Sequence, residues 1–481
     1  MTTQDWVLLV TAIAALIHML GVASAIHAVA SVRTSQGAIA WAISLLTFPY
    51  AALPLYWIFG RNRFHGYLET LRKGMLAHSS RRENVLAFLE RLQVFQASLP
   101  PERVSDFEVL ARLSRTPYTR GNALELLIDG AATFAAIFAA LEQAQRSIVI
   151  EFFIIKDDEL GRELQTHLVR KAAAGVAIQV LYDELGSHAL PKNYVETLRA
   201  AGVTVSAFHT TRGRRNRFQL NFRNHRKIVV VDGRVAFVGG LNVGDEYMGR
   251  GPLGHWRDTH LRIEGPAVHA LQLVFIEDWY WATRQVPALE WQPTAAAQGD
   301  RAVLIYSTGP ADALESCSMF FHQAIAGARR RLWIASPYFV PDPPVFAALQ
   351  LAALRGVDVR ILLPGKPDHL MVYLASFSFL EAADRAGIQI YRYRDGFPHQ
   401  KVVLVDDDIA SVGTANLDNR SLRLNFEVVA VVVDRDFAGQ VATMLERDLR
   451  ASDRTSAADL HNRGRAFQWA VRAARLFDPI L

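Results

Sequence analysis

The run HRKIVVVDGRVAFVGGLN at 225–242 returns as HQKVVLVDDDIASVGTAN at 399–416. Each copy carries H-x-K-x-x-x-x-D: His225, Lys227 and Asp232, then His399, Lys401 and Asp406. The β-branched runs IVVV and VVLV predict a strand, and side chains two residues apart on a strand share a face, so each histidine points with its lysine. Asp232-Gly233 and Asp406-Asp407 predict the turns that end these strands. The echo continues outward, with AGVAIQVLYD at 174 matching RGVDVRILLP at 355, and AGVTVSAFH at 201 matching AGIQIYRYR at 386. Around these runs strand and helix signals alternate in the same order twice, which is the pattern of an α/β fold. Two homologous α/β halves, 120–295 and 296–481, are expected to pack about a pseudo-twofold axis that sets equivalent residues face to face.

A single polar pair in a buried strand is most simply a satisfied core feature. Found twice in register, the two pairs would gather four cationic or potentially cationic groups, which repel one another unless an anion lies between them. Phosphodiester cleavage matches that demand. It needs a nucleophile on one side of phosphorus, a proton donor for the departing alkoxide on the other, and positive charge over the non-bridging oxygens. One histidine would attack and the other protonate, while Lys227 and Lys401 hold the phosphoryl oxygens, so neither metal nor cofactor is expected.

An imidazole in such a role has its second nitrogen held by a carboxylate. Asp258 (in WRDTHLRIEG) and Glu427 (in NFEVVAVVVD) follow their histidines by similar distances and are the candidates for orienting His225 and His399. Asn242 and Asn416 sit at one offset in G-G-L-N and G-T-A-N; turn formation alone explains asparagine there as well, but the repeat suggests hydrogen bonds at a phosphate site. Asp232 and Asp406 are expected to brace the turn rather than to take part in chemistry.

The first sixty residues have a different character. No Asp, Glu, Lys or Arg lies between Asp5 and Arg33, nor between Arg33 and Arg61. The runs Trp6 to Ala30 and Gly37 to Phe59 each exceed the ~20 residues that cross a bilayer, predicting a two-helix transmembrane hairpin over 1–60 and a cytoplasmic linker over 61–119. Arg61, Arg63, Arg72, Lys73, Arg81 and Arg82 follow the second run, against Arg33 alone in the turn, which puts the rest of the chain in the cytoplasm. His18 and His27 are expected to pack rather than to react. The other 420 or so residues, in a chain that is 51% hydrophobic with one cysteine, Cys317, exclude a disordered protein, a disulfide scaffold and a cysteine-based zinc site. The formal charge of +5 favours anionic partners mildly.

The doubled HKD motif with its trailing G-x-x-N resembles the phospholipase D superfamily. Over nearly the whole chain, LPLYWIFGR (53–61), NALELLIDG (122–130), SPYFVPD (336–342) and VGTANLDNRSLRLNFEV (412–428) are similar to the pattern of bacterial cardiolipin synthases. That resemblance implies condensation of two phosphatidylglycerols into cardiolipin and glycerol at an inner membrane, through a phosphohistidine. It implies His225 as nucleophile and His399 as acid and then base. Thr414 stands where the superfamily often has serine, and keeps the hydroxyl.

Arg212, Arg214, Arg215, Arg217, Arg223, Arg226 and Lys227 crowd the approach to the first motif. A solvated loop and attraction to anionic headgroups both explain them, and with Phe218 and Phe222 alone among them the cluster is poor in the interleaved aromatics that stack bases, so nucleic acid is not expected. The tail from Arg463 to Phe477 alternates arginine with apolar residues and suits either a membrane interface or packing on the core.

Overall fold

The computed structural model describes residues 2–32, 34–60, 63–76, 79–211 and 220–481. Arg33, Arg61, Arg212, Arg214, Arg215 and Arg217 lie outside them. By internal packing the chain divides into two units, one holding the described residues of 1–66 and 210–222, the other 67–209 and 223–479.

In the first unit, Thr3–Ser31 is a single helix of 29 residues, long and apolar enough to cross a membrane. Thr2 and Asp5 cap its start reciprocally. The second apolar run is not one helix. It divides into Ser35–Thr47 and Pro49–Phe59 at Phe48, because Pro49 has no N–H to continue the ladder and Phe48 leaves the helical region. These pieces pack on the first helix through small residues, and a Cβ on Gly21 would lie 2.6 Å from the Leu45 carbonyl oxygen. His27 Nδ1 is 2.6 Å from the Tyr56 hydroxyl, and Trp57 Nε1 donates to Ser24 Oγ at 3.1 Å.

The second unit is built on one sheet. In chain order its main strands are β1 (Thr119–Ile128), β2 (Ser147–Phe152), β3 (Ala177–Asp183), β4 (Thr204–Phe208), β5 (Ile228–Val231), β6 (Val235–Gly239), β7 (Thr259–Glu264), β8 (Arg301–Thr308), β9 (Arg331–Ala335), β10 (Asp358–Pro364), β11 (Gln389–Tyr393), β12 (Val402–Val405), β13 (Ile409–Gly413), β14 (Asn425–Val433) and β15 (Ser452–Thr455). Across the sheet they run β15-β11-β10-β9-β12-β13-β14-β8-β1-β7-β6-β5-β2-β3-β4. With β15 set aside, this order reads alike outward from the β8–β1 pair, as it must when two copies of one fold share a sheet through their first strands. β2, β3 and β4 are parallel, as are β9, β10 and β11. The two copies join antiparallel, Asn122 opposite Arg301.

Burial follows from this arrangement. All nine residues of β14 and all six of β2 are buried, as expected of β-branched strands covered on both faces by helices. Each half has its own core, one around Phe134, Ile150 and Phe237, the other around Phe321, Ile361 and Val431. Among its described residues the stretch 61–119 carries three helices, Tyr67–Leu76, Ser79–Gln93 and Pro101–Leu113, and the last buries Phe107 and Leu110 in the second-half core.

Candidate active site

Both histidines sit just ahead of a strand rather than within one. The two-residue pieces Arg223–Asn224 and Phe397–Pro398 pair with β14 and with Trp256–Arg257, and the chain then passes through His-x-Lys into β5 or β12. Main-chain bonds set each histidine: His225 N–H donates to the Phe426 carbonyl (2.9 Å), His399 N–H to that of Arg257 (2.8 Å). Each lysine ammonium turns back onto the carbonyl of its own histidine, Lys227 at 2.7 Å. Lys401 Nζ also lies 3.1 Å from His399 Nε2.

The carboxylates orient the histidines with a crossing between halves. Glu427, from the second half, takes His225 Nδ1 at 2.9 Å, and Asp258, from the first, takes His399 Nδ1 at 2.8 Å. The order in which the sequence pairs them, Asp258 with His225 and Glu427 with His399, is therefore reversed. β7 and β14 flank the central β1–β8 pair, and each delivers the residue just before or within it to the opposite motif. With Nδ1 taken in both rings, Nε2 is the nitrogen available to a reacting group, that of His399 with Lys401 Nζ beside it.

Glu427 is held by more than its histidine. Thr414 Oγ1 donates to it at 2.5 Å and Ser421 Oγ at 2.7 Å, with Asn425 at 3.2 Å. At the equivalent offset in the first half stands Gly240, where a Cβ would come within 2.0 Å of the Asp258 carboxylate. A threonine fits behind the one carboxylate and no side chain fits behind the other.

Burial dominates the electrostatics. It pushes the His225 imidazole down to about 4 against the pull of Glu427, and the His399 imidazole well below its ordinary value, with the Lys401 and Lys227 charges acting the same way. It lowers Lys227 to about 7 and Lys401 to about 8. Burial raises Asp258 to about 6, while Glu427 stays below the usual carboxylate range despite burial because His225 and Lys227 favour its anion. Both imidazoles are thus biased toward their neutral form, beside lysines whose charged form burial weakens. Phe153 walls His225, its ring centroid 5.0 Å away, and Tyr247 and Trp256 wall His399 at 5.6 and 5.3 Å.

The motif aspartates lie at the far ends of β5 and β12. Asp232 (φ 54°) accepts the N–H groups of Gln145, Arg146 and Ser147, each at 2.8 Å. Asp406 (φ 52°) accepts those of Arg329, Arg330 and Arg331 and the Arg103 guanidinium at 2.7 Å. Burial opposes ionisation of Asp406, but Arg103 and these N–H groups hold its pKa low. Asn242 accepts from Ile154 N–H at 3.1 Å and lies 2.6 Å from the Tyr247 hydroxyl; Asn416 Nδ2 donates to Asp418 at 3.3 Å.

Two guanidinium clamps stand behind the site: Arg257 gave no sequence signal, and Arg226, grouped in the sequence with the basic approach as solvated or headgroup-facing, is instead buried. Arg226, between His225 and Lys227, donates to Asp278 (2.6 Å), to the Thr308 carbonyl and to the Glu427 carbonyl (both 3.1 Å). Arg257, next to Asp258, donates to Asp448 (2.9 Å) and to the Asp258 carbonyl (2.6 Å). Each steadies the main chain of a carboxylate that orients a histidine. A charged residue alternating with buried ones reads as exposed in sequence; only the helices ending near Asp278 and Asp448 explain its burial.

Comparison with known proteins agrees with this geometry. The family described as "Cardiolipin synthase, PLD-like domain" matches residues 137–279 and 321–449. Cardiolipin synthase A of Pseudomonas putida (strain GB-1) is 51% identical over 467 residues, 97% of each chain, and that of Pseudomonas entomophila (strain L48) is 51% identical over 470. The chain belongs to the phospholipase D-like cardiolipin synthase family. The fold recurs in the crystal structure of phosphatidylserine synthase from Haemophilus influenzae Rd KW20, which covers 74% of this chain and 95% of that one with a TM-score of 0.60 at 15% identity. In this cardiolipin synthase family member both HKD copies are complete.

Proposed function

We propose that this protein is a cardiolipin synthase that transfers a phosphatidyl group between two phosphatidylglycerols, releasing glycerol. The observation that carries the reading is the pair of histidines, each with Nδ1 fixed by a carboxylate from the other half and an ammonium beside it. In the first step His225 Nε2 attacks phosphorus, the P–O bond to glycerol breaks, and protonated His399 gives its proton to the leaving oxygen. The phosphodiester supplies the negative charge that lets His399 hold that proton. In the second step neutral His399 takes the proton from a hydroxyl of a second phosphatidylglycerol, whose oxygen displaces His225 from phosphorus to give cardiolipin. Exchange of one primary alcohol for another needs no nucleotide. Lys227 and Lys401 balance charge on the non-bridging oxygens, and Asp258, Glu427, Thr414, Asn242 and Asn416 position the reacting groups.

The same reading places 1–60 in the inner membrane as a double pass, with the two halves, 120–295 and 296–481, on the cytoplasmic side where the basic residues after the second run lie. The test is incubation of the purified protein with labelled phosphatidylglycerol, without nucleotide, and identification of products by mass. Cardiolipin with free glycerol is expected. Phosphatidic acid in place of cardiolipin would make it a phospholipase D-type phosphodiesterase, and turnover only with a second lipid present would make it a transferase with another donor or acceptor.

A further inference from the structure

The helix Arg465–Arg475 has two apolar stripes, and the core covers one. Val471 and Ala474 are buried, and Phe467 meets Phe377 edge-on at 5.2 Å, so this side packs against the helix Leu370–Phe377 in the second-half core. The second stripe, Ala466, Trp469, Ala473 and Leu476 at spacings of three and four, is open to solvent. Trp469 is 65% exposed, Leu476 80% and Phe477, next in the chain, 46%. Arg465, Arg472 and Arg475 border this stripe, all exposed, and Arg472 lies 5.0 Å over the Trp469 ring. Solvent-facing tryptophan and leucine, edged by guanidinium groups, match the boundary between lipid chains and anionic headgroups, with apolar tips sunk below the phosphates and arginines at their level. A protein partner would be expected to demand acidic residues opposite these arginines, whereas an anionic leaflet supplies that charge everywhere.

The surface continues toward the reaction. Leu370 and Met371, 61% and 38% exposed, open the helix on which Arg465–Arg475 packs. Just before them, Asp368 accepts from Tyr338 at 2.5 Å, and its charge acts on His399 and Lys401.

We propose that the face bearing Trp469, Leu476 and Phe477, bordered by Arg465, Arg472 and Arg475, docks the second half onto the surface of an anionic phospholipid bilayer. This contact is separate from the N-terminal helix, and it concerns delivery of lipid to the site whichever product forms. The buried Cys317 leaves a surface cysteine as the reactive one, so Trp469→Cys in the full chain can carry an environment-sensitive fluorophore. In vesicles containing phosphatidylglycerol its emission should shift to the blue and be quenched by nitroxide-labelled lipid. A label at exposed Glu196 (E196C) should stay unquenched. Emission at 469 that stays water-like, a blue shift without lipid quenching, or equal quenching at both positions would overturn the proposal. Arg465→Glu with Arg472→Glu should slow turnover of vesicle phosphatidylglycerol roughly tenfold while turnover in detergent micelles is unchanged. An equal loss in both would assign these arginines to the fold instead.

Discussion

Thr414 and Gly240 show how one atom decides the geometry behind a carboxylate. Replacing Thr414 by Val removes a hydrogen bond to ionised Glu427 and leaves that acid short of a donor, at a cost of about 1.5–3 kcal/mol. Thr414→Val is expected to lower kcat roughly ten- to a hundredfold with little change in KM, and Thr414→Ser to keep activity; equal rates for Val and Ser would show that the hydroxyl is idle. Gly240→Ala drives a methyl into Asp258 and should cost at least as much. The lysines set a pH limit at the same scale. Their lowered pKa values mean that the charged form, which binds the anion, is present below about pH 7 and is lost as pH rises through about 7 for Lys227 and about 8 for Lys401. Inhibition by a competing tungstate ion, measured across that range, should weaken steadily with rising pH, and a flat profile would place the anion elsewhere.

At the scale of elements, the repeat made the strand–turn–strand unit legible, because period-two patterning and a turn aspartate are local signals. Asp232 and Asp406 hold left-handed backbone and satisfy three N–H groups each at the start of β2 and β9, binding two stretches far apart in sequence. Asp406→Ala removes these bonds and the Arg103 pairing together and is expected to destabilise the second half by about 3 kcal/mol, seen as a lower melting temperature. Asp232→Asn tolerates the left-handed conformation and its one carbonyl oxygen can keep the Arg146 and Ser147 N–H groups, but its NH2 meets the Gln145 N–H, so it should cost about 1 kcal/mol, less than an alanine there. Other features were not legible. The position of His225 and His399 ahead of their strands depends on short pairings made by residues 223–224 and 397–398, which no periodicity announces. The break at Phe48 hides because hydropathy is blind to the missing proline N–H.

The whole molecule explains why the carboxylates were assigned the wrong way round. Asp258 and Glu427 follow their histidines at similar distances, 33 and 28 residues, so a linear pattern fits a partner in the same half as well as one in the other. Only the junction of β1 with β8, which turns two half-sheets into one, decides that β14 serves the first motif and β7 the second. The crossing has a kinetic consequence. If His225 attacks and His399 protonates the leaving group, Glu427 supports bond formation and Asp258 supports departure. A phosphodiester with a p-nitrophenolate leaving group needs little protonation, so Asp258→Asn and His399→Ala should regain most of their lost first-step rate on it, whereas Glu427→Gln and His225→Ala should not. The losses expected on phosphatidylglycerol are roughly a hundred- to ten-thousandfold, the range of general acid–base assistance. Burst release of nitrophenolate measures the first step alone. Rescue of Glu427→Gln with none for Asp258→Asn would exchange the two histidines' roles, and rescue following the sequence halves, with Asp258 grouped with His225, would contradict the crossed arrangement.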